Sequence, residues 1–216
     1  MNISKNSSSN TQTRTYYRTD CIVFKQTKEA FGGLSNMAGG FPIKINDISI
    51  FTSEALYQAC RFPHLPDVQK IIITPKSPMT AKMVGKPHKK DSRSDWDTVR
   101  VKIMRWCLRV KLACNWHEFG ELLHTTEDKP IVEDSRKDRF WGAVVEDDET
   151  LVGNNVLGRL LMELRGELKS EAIGDLEIVK PLLIDEFLLY HKPIPTVYAD
   201  QEVKERLGVP RQYDLF

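Results

Sequence analysis

The sequence lacks most of the features that assign a function at sight. No apolar run approaches the roughly 20 residues that a bilayer-spanning helix takes, and no basic-then-apolar leader opens it. No membrane association is therefore expected, and the cytoplasm is the expected location. Cysteine is sparse: Cys21, Cys60, Cys107 and Cys114 form no CxxC and no close pairs. Reduced thiols are expected rather than a disulfide framework. HExxH, a P-loop lysine and a nucleophile-elbow glycine pattern are all missing. Cys60 and His64 have helical ligand spacing, but Pro63 stands between them, and His88, His117 and His124 are scattered. Neither a metal nor another cofactor is expected.

What is present fits one globular domain. The chain has 216 residues, 41% hydrophobic and 28% charged, enough to bury a full core. Formal net charge is only +1, but the charges are unevenly distributed. Lys82 to Lys111 holds ten Lys/Arg against three Asp/Glu, an excess of seven. Glu118 to Thr150 holds eleven acids against four bases, an excess of seven of the other sign. Two such blocks can pair or simply be solvated, or form a basic rim for phosphates beside an acidic wall.

Residues 1–18 read as a disordered tail, because the Ser/Asn/Thr-rich start offers little to bury. Cys21 to Phe24 reads as a strand, and Phe41 to Phe51 as a hairpin turning at Asn46-Asp47. Ser53 is a candidate N-cap for a helix ending near Arg61. Pro66 and Pro78 each open a short helix. The clearest helix spans about Asp97 to Ala113, with Val99, Ile103, Trp106, Cys107, Val110 and Cys114 on one face. Trp116 to His124 continues helical, as does Asn155 to Leu168. The pattern predicts a mainly α fold with a small antiparallel β element (α+β), a core domain over 19–170 and an extension over 171–216 packed on it. That extension is expected to carry a helix over Asp200 to Leu207.

Charged and aromatic groups recur at loops and helix starts. Glu54 sits in the first turn of its helix, where a carboxylate complements the dipole whether or not it has chemistry to do. Placed in a pocket, it could also stabilise positive charge or accept a proton. Asp134 lies between Ile131-Val132 and Phe140-Trp141, and two such carboxylates suit glycosidic cleavage. Trp96 and Trp141 are either core or stacking platforms, with Arg139 beside the second. Asn154 and Asn155 either cap a helix or offer an anion site. Ser35 and Asn36 follow Gly32-Gly33, a flexible turn or a close backbone approach to phosphate. Lys82 is a solvated lysine or, if buried beside a sugar carbon, a Schiff-base amine.

Taken together, Phe31/Leu34-Ser-Asn36, Ser53-Glu54-x-x-Tyr57-Gln58-Ala59, Ala81-Lys82-x-x-Gly85, Asp95-Trp96, Asp138-x-x-Trp141-Gly142 and Gly153-x-Asn155-x-Leu157-Gly158-x-Leu160-Leu161-Met162 resemble the NADAR superfamily, also called YbiA-like. The resemblance covers about Val23 to Leu168 and departs at Lys86, where many relatives have arginine. It implies a mainly helical N-glycosidase acting on ribose. Some members are thought to hydrolyse phosphoribosylamino-pyrimidine intermediates of riboflavin synthesis. Others remove ADP-ribose from guanine in DNA, as antidotes to a DNA ADP-ribosyltransferase toxin. On this chain the resemblance implies Glu54 and Asp134 as catalytic carboxylates, Lys82 as a nucleophile, and Trp96 lining the pocket. It also implies Asn36, Trp141, Asn154 and Asn155 holding ribose and phosphates, with Ser35, Arg139 and Gly142 beside them. ADP-ribosylated DNA, ADP-ribose and a toxin encoded nearby are the implied partners, without a cofactor; a non-catalytic ADP-ribose reader is the rival.

Overall fold

A computed structural model describes residues 12–170 and 176–199, leaving aside the side chains of Pro78, Ala81 and Lys82. In chain order come β1 (Arg14–Tyr17), β2 (Ile22–Phe24), a 3₁₀ turn over Gly32–Leu34, β3 (Ile43–Ile45) and β4 (Ile48–Ile50). The helices α1 (Ser53–Ala59), α2 (Pro66–Ile73) and α3 (Pro78–Gly85) lead through a 3₁₀ segment, Lys86–Asp91, to α4 (Trp96–Cys114) and α5 (Trp116–His124). Then follow β5 (Ile131–Glu133), β6 (Val144–Val145), β7 (Thr150–Gly153) and α6 (Val156–Leu168). Four two-residue strands close the described chain: β8 (Ile178–Val179), β9 (Leu188–Leu189), β10 (Lys192–Pro193) and β11 (Val197–Tyr198). The class is α+β with small sheets.

Long helices form the centre because their apolar residues recur at helical spacing. On α4, Val99, Ile103, Trp106, Cys107 and Val110 are all buried, and α6 adds Leu157, Leu160, Leu161 and Leu164. Two ion pairs in parallel register join these helices: Arg105 Nε to Glu163 Oε1 at 2.5 Å and Arg109 Nη2 to Glu167 Oε1 at 2.6 Å. Gly158 fits α6 against β5, since a Cβ there would collide with the Ile131 carbonyl.

The turn of the β3–β4 hairpin is Asn46-Asp47, with φ of 50° and 61°. Both central residues are left-handed, as a type I′ turn requires and as these two residue types tolerate. β2 and β5, by contrast, pair in parallel, with Ile22 opposite Ile131 and Phe24 opposite Glu133. The intervening helices supply the crossover that parallel strands need. The β element is therefore not purely antiparallel as expected.

The tail boundary at residue 18 also shifts. Arg14–Tyr17 pairs antiparallel with β7, and Tyr16 is buried beside Val132, Ala143 and Leu151. Thr15, Tyr16 and Tyr17 are strand-favouring residues, and a partner strand more than 130 residues away gives them a face to cover (Tyr16 opposite Leu151). Residues 1–11 lie outside the described chain.

The helix start differs by one residue. Thr52, not Ser53, caps α1, its side chain accepting the Ala55 N–H at 3.2 Å. The described part of the C-terminal extension lies on α4. Phe187 packs edge-on to Trp106 at 4.9 Å, whose indole N–H donates to the Lys180 carbonyl at 3.0 Å. Leu176, Val179, Leu189 and Val197 join the same core cluster as α4. The helix expected over residues 200–207 falls outside the described residues. Among the described residues no helix is long and apolar enough to cross a membrane.

Candidate active site

The loop before α1 is held from beneath by a buried cation. Lys111, in the last turn of α4, is fully buried, and its Nζ donates to the carbonyls of Gly33 at 2.6 Å and Ser35 at 3.1 Å. The rings of Phe41 and Phe119 face the same amine at 4.5 and 4.2 Å. Burial pushes the amine down to about 7, while the carbonyls and ring faces favour its charged form. Asn36, next in the chain, is itself buried. Its carbonyl accepts the Glu54 N–H at 3.0 Å, and its side-chain oxygen accepts the Ser53 hydroxyl at 3.1 Å. Its amide donates to the Met104 sulfur. Asn36 thus ties the loop to the first turn of α1, and Ser35 contributes a carbonyl to Lys111 and a hydroxyl to the Met37 N–H at 3.2 Å.

Glu54 emerges from this anchored turn with only 7% of its surface exposed. Gln58, one turn on, donates to its Oε1 at 2.9 Å. Among the described residues no cation forms an ion pair with it. A mostly buried carboxylate without a counter-ion suits a reaction that brings positive charge to it.

Beside Glu54 on α1 stands Tyr57, the centre of an aromatic cluster. Trp96 lies 5.1 Å from its ring and Trp141 5.7 Å, with Phe140 edge-on to Trp141 at 5.1 Å. Burial, reinforced by the Glu54 charge, pushes the Tyr57 hydroxyl far up, so it remains a neutral donor. Two arginines rim the cluster. Arg61 lies over Trp96 at 5.0 Å, and Arg100 over Phe140 at 4.0 Å. Arg61 also donates to the Ser92 hydroxyl at 2.6 Å. Tyr57 and Trp96 are themselves buried, and ring faces beside guanidinium groups are the group types that answer a nucleobase and phosphates.

Asp134 has the opposite electrostatics to Glu54. Its side chain is 5% exposed, and both oxygens are paired: Oδ2 with Arg18 at 2.8 Å and Oδ1 with Lys25 at 3.2 Å. The β2–β5 pairing builds this triad, because the Asp134 N–H donates to the Phe24 carbonyl at 2.9 Å, just before Lys25. From Asp134 the chain turns through Asp138, whose Oδ1 accepts the N–H groups of Phe140 and Trp141, each at 2.9 Å. Gly142 packs against the end of β5, where a Cβ would sit 2.7 Å from the Glu133 carbonyl.

The remaining expected residues fall in different places. Asn155 is fully buried and left-handed, with φ of 48°. Its amide donates to the Ile131 carbonyl at 2.8 Å and its oxygen accepts the Glu133 N–H at 3.2 Å. It therefore stitches α6 to β5 and presents no free polar atom to a ligand. Asn154 accepts from Thr13 at 3.0 Å near the surface. Arg139 turns toward Glu146, which it pairs with, and toward the Val152 carbonyl at 3.3 Å, not over Trp141. Lys82 is on α3, and its side chain lies outside the description.

Two groups therefore emerge: Glu54 with Tyr57, Trp96, Arg61 and Arg100, and Asp134 with Arg18 and Lys25. They are linked through Tyr57 to Trp141 and on through Gly142 to β5. A cavity of about 400 Å³, lined by His64, Ser92, Arg93, Asp95, Asp185 and Glu186 among others, includes neither Glu54 nor Asp134 and meets the first group through Ser92, the partner of Arg61. Sequence reasoning missed Lys111, Arg61, Arg100, Lys25 and the pairing of Arg18. Only Arg61 and Arg100 left a signal, each one helical turn past a motif aromatic (Tyr57 and Trp96).

Comparison with known proteins bears on this arrangement. A family model described as the NADAR domain matches residues 23–169. N-glycosidase YbiA of Escherichia coli (strain K12) is 34% identical over 153 residues, covering 69% of this chain and 89% of that protein. N-glycosidase Npun_R5314 of Nostoc punctiforme is 31% identical over 151 residues, covering 69% and 93%. The riboflavin biosynthesis protein PYRR, chloroplastic, of Zea mays is 31% identical over 175 residues, covering 75% of this chain but 27% of that protein. The NMR structure of E. coli YbiA superposes with a TM-score of 0.58 at 33% identity, covering 74% of this chain and 94% of that one. The segments that build both groups around Glu54 and Asp134 lie within the match, apart from Arg18, and the chain belongs to the NADAR family.

Proposed function

We propose that the protein is an N-glycosidase that hydrolyses ADP-ribosyl-guanine in DNA, acting in the cytoplasm as an antidote to a DNA ADP-ribosyltransferase encoded nearby. The observation that carries the reaction class is Glu54: a mostly buried carboxylate one helical turn before Tyr57, whose ring meets Trp96 and Trp141, with no ion-pair partner among the described residues. Cleavage of an N-glycosidic bond passes through an oxocarbenium-like state, positive at C1 of the ribose, and Glu54 stabilises that charge. The bond from C1 to the base nitrogen breaks with its electrons leaving on the base, and water adds to C1.

Trp96 and Tyr57 support a planar ring, and Arg61 and Arg100 supply cations for the phosphates. Asp134 holds Arg18 and Lys25 until substrate arrives. When a substrate phosphate draws the half-exposed Lys25 away, the freed oxygen of Asp134 takes a proton from the attacking water and passes it to the leaving nitrogen. Lys82 remains a candidate amine on α3. Asn36 and Asn155 act on the site by positioning, through α1 and β5.

The relatives favour a second reading, hydrolysis of a phosphoribosylamino-pyrimidine, because two of them are named riboflavin biosynthesis proteins. Incubation with a guanine-ADP-ribosylated oligonucleotide and with the free phosphoribosylamino-pyrimidine separates the two. Release of ADP-ribose from the oligonucleotide, with the pyrimidine untouched, supports the first. The reverse pattern overturns it, and binding of the oligonucleotide without release identifies a reader.

A further inference from the structure

The basic block from Lys82 to Lys111 does not survive folding as one surface. Arg93 pairs with Asp95, Arg105 with Glu163 and Arg109 with Glu167, while Lys111 is buried. Exposed positive charge instead gathers on α2, the link from α2 to α3, and the 3₁₀ segment between α3 and α4. Lys70, Lys76, Lys86, Lys89 and Lys90 are all exposed there, and none has an ion-pair partner among the described residues. Of the acids on the same elements, Asp91 already faces His88 at 3.8 Å, which leaves Asp67.

Apolar groups stand among these lysines. Ile71, Met79 and Met83 are 44%, 59% and 65% exposed, three of the seven large apolar side chains exposed among the described residues. Met79 and Met83, four residues apart, share one face of α3. Both α2 and α3 pack on α1, the helix that carries Glu54.

We propose that this face holds a single DNA strand on one side of the base being processed. The inference rests on the DNA reading above and names the surface that reading needs. A base attacked at its glycosidic carbon has to leave the stack, so the strand next to it is unpaired locally. An unpaired strand offers phosphates together with exposed base faces, and lysines interspersed with methionine and isoleucine answer both. Thioether chains adapt to bases of any identity, as sequence-independent contact requires. The exterior of a duplex presents phosphates and groove edges but no base faces for the apolar groups to cover.

The test is fluorescence anisotropy with an unmodified, labelled single-stranded oligonucleotide across a salt series. Wild type is compared with Lys86→Glu/Lys89→Glu/Lys90→Glu and with Met79→Ser/Met83→Ser, each checked by its melting curve. Each phosphate contact on a single strand contributes about 0.7 to the slope of log K against log salt, so the lysine variant should lose about 2 in slope. Its affinity should fall at least about tenfold at low salt. The methionine variant should bind more weakly with its slope unchanged. Unchanged affinity and slope in the lysine variant overturn the proposal, as does binding to phosphatidylserine vesicles with none to DNA. Failure of the substrate reading is seen separately, as no release of ADP-ribose from the modified oligonucleotide by wild type, and the anisotropy result decides this surface either way.

Discussion

The Nζ of Lys111 lies 2.6 Å from the carbonyl oxygen of Gly33, three residues ahead of the Asn36 carbonyl that receives the Glu54 N–H. An amine in the last turn of α4 is thereby connected, through one loop, to the carboxylate on α1. The amine titrates at about 7 in the fold against 10.5 ordinarily. Between those values the unfolded chain binds the extra proton, so this group makes the fold more stable as pH rises, and its full cost is felt below about 7. The slope approaches about 1.4 kcal/mol per pH unit inside that window. Lys111→Met removes it. Urea unfolding at pH 7 and pH 9 should show wild type gaining stability relative to the variant, and parallel curves for the two would contradict this.

Glu54→Gln keeps shape and the Gln58 neighbour but removes the charge. Turnover should drop roughly 100- to 10,000-fold with KM nearly unchanged, because a charge-stabilising group acts mainly in the transition state. Steady-state kinetics beside an unchanged circular dichroism spectrum decide it. Near-native turnover in Glu54→Gln would remove Glu54 from the chemistry.

Asp134→Asn leaves Arg18 and Lys25 without their shared counter-charge. The proposal expects lower kcat together with tighter binding of ADP-ribose, since the two freed cations then meet its phosphates unopposed. Calorimetric titration with ADP-ribose measures the second effect. Weaker binding by the variant would show Asp134 to be a direct ligand contact instead.

Trp96→Ala should act on binding more than on chemistry. A base–aromatic stack is worth about 1–3 kcal/mol, which is roughly a 5- to 150-fold rise in KM. An Arg61→Ala variant should raise KM also, and more so at low salt, where exposed charges are least screened.

Much of the scaffold can be read from the chain because its determinants are local. The apolar face of α4 and the Asn46-Asp47 turn need only neighbours in sequence to declare themselves, and α5 begins and ends where its composition predicts. The hidden features depend on partners far away. Tyr16 looks like tail until Leu151 is placed opposite, and Lys25 looks solvated until β2 pairs with β5. Lys111 has the charge of a surface residue and the surroundings of a core one, a contrast that periodicity cannot express. Asn155 reads as a cap because the left-handed helix entry and the ligand site attract the same residue type. Its test is stability: Asn155→Ala loses both amide bonds and adopts a strained φ, at a cost of about 2–4 kcal/mol. Asn155→Gly should recover about 1 kcal/mol of that by relieving the backbone alone, as thermal melts of both variants will measure.

The ion pairs of Asp134 reach back 116 residues to Arg18 and 109 to Lys25. On the ribosome those two cations are made early and wait for their carboxylate until most of the polypeptide has been synthesised. A nascent chain that has not reached residue 134 lacks the triad. A fragment that ends before residue 134 would therefore lack the carboxylate that holds Arg18 and Lys25.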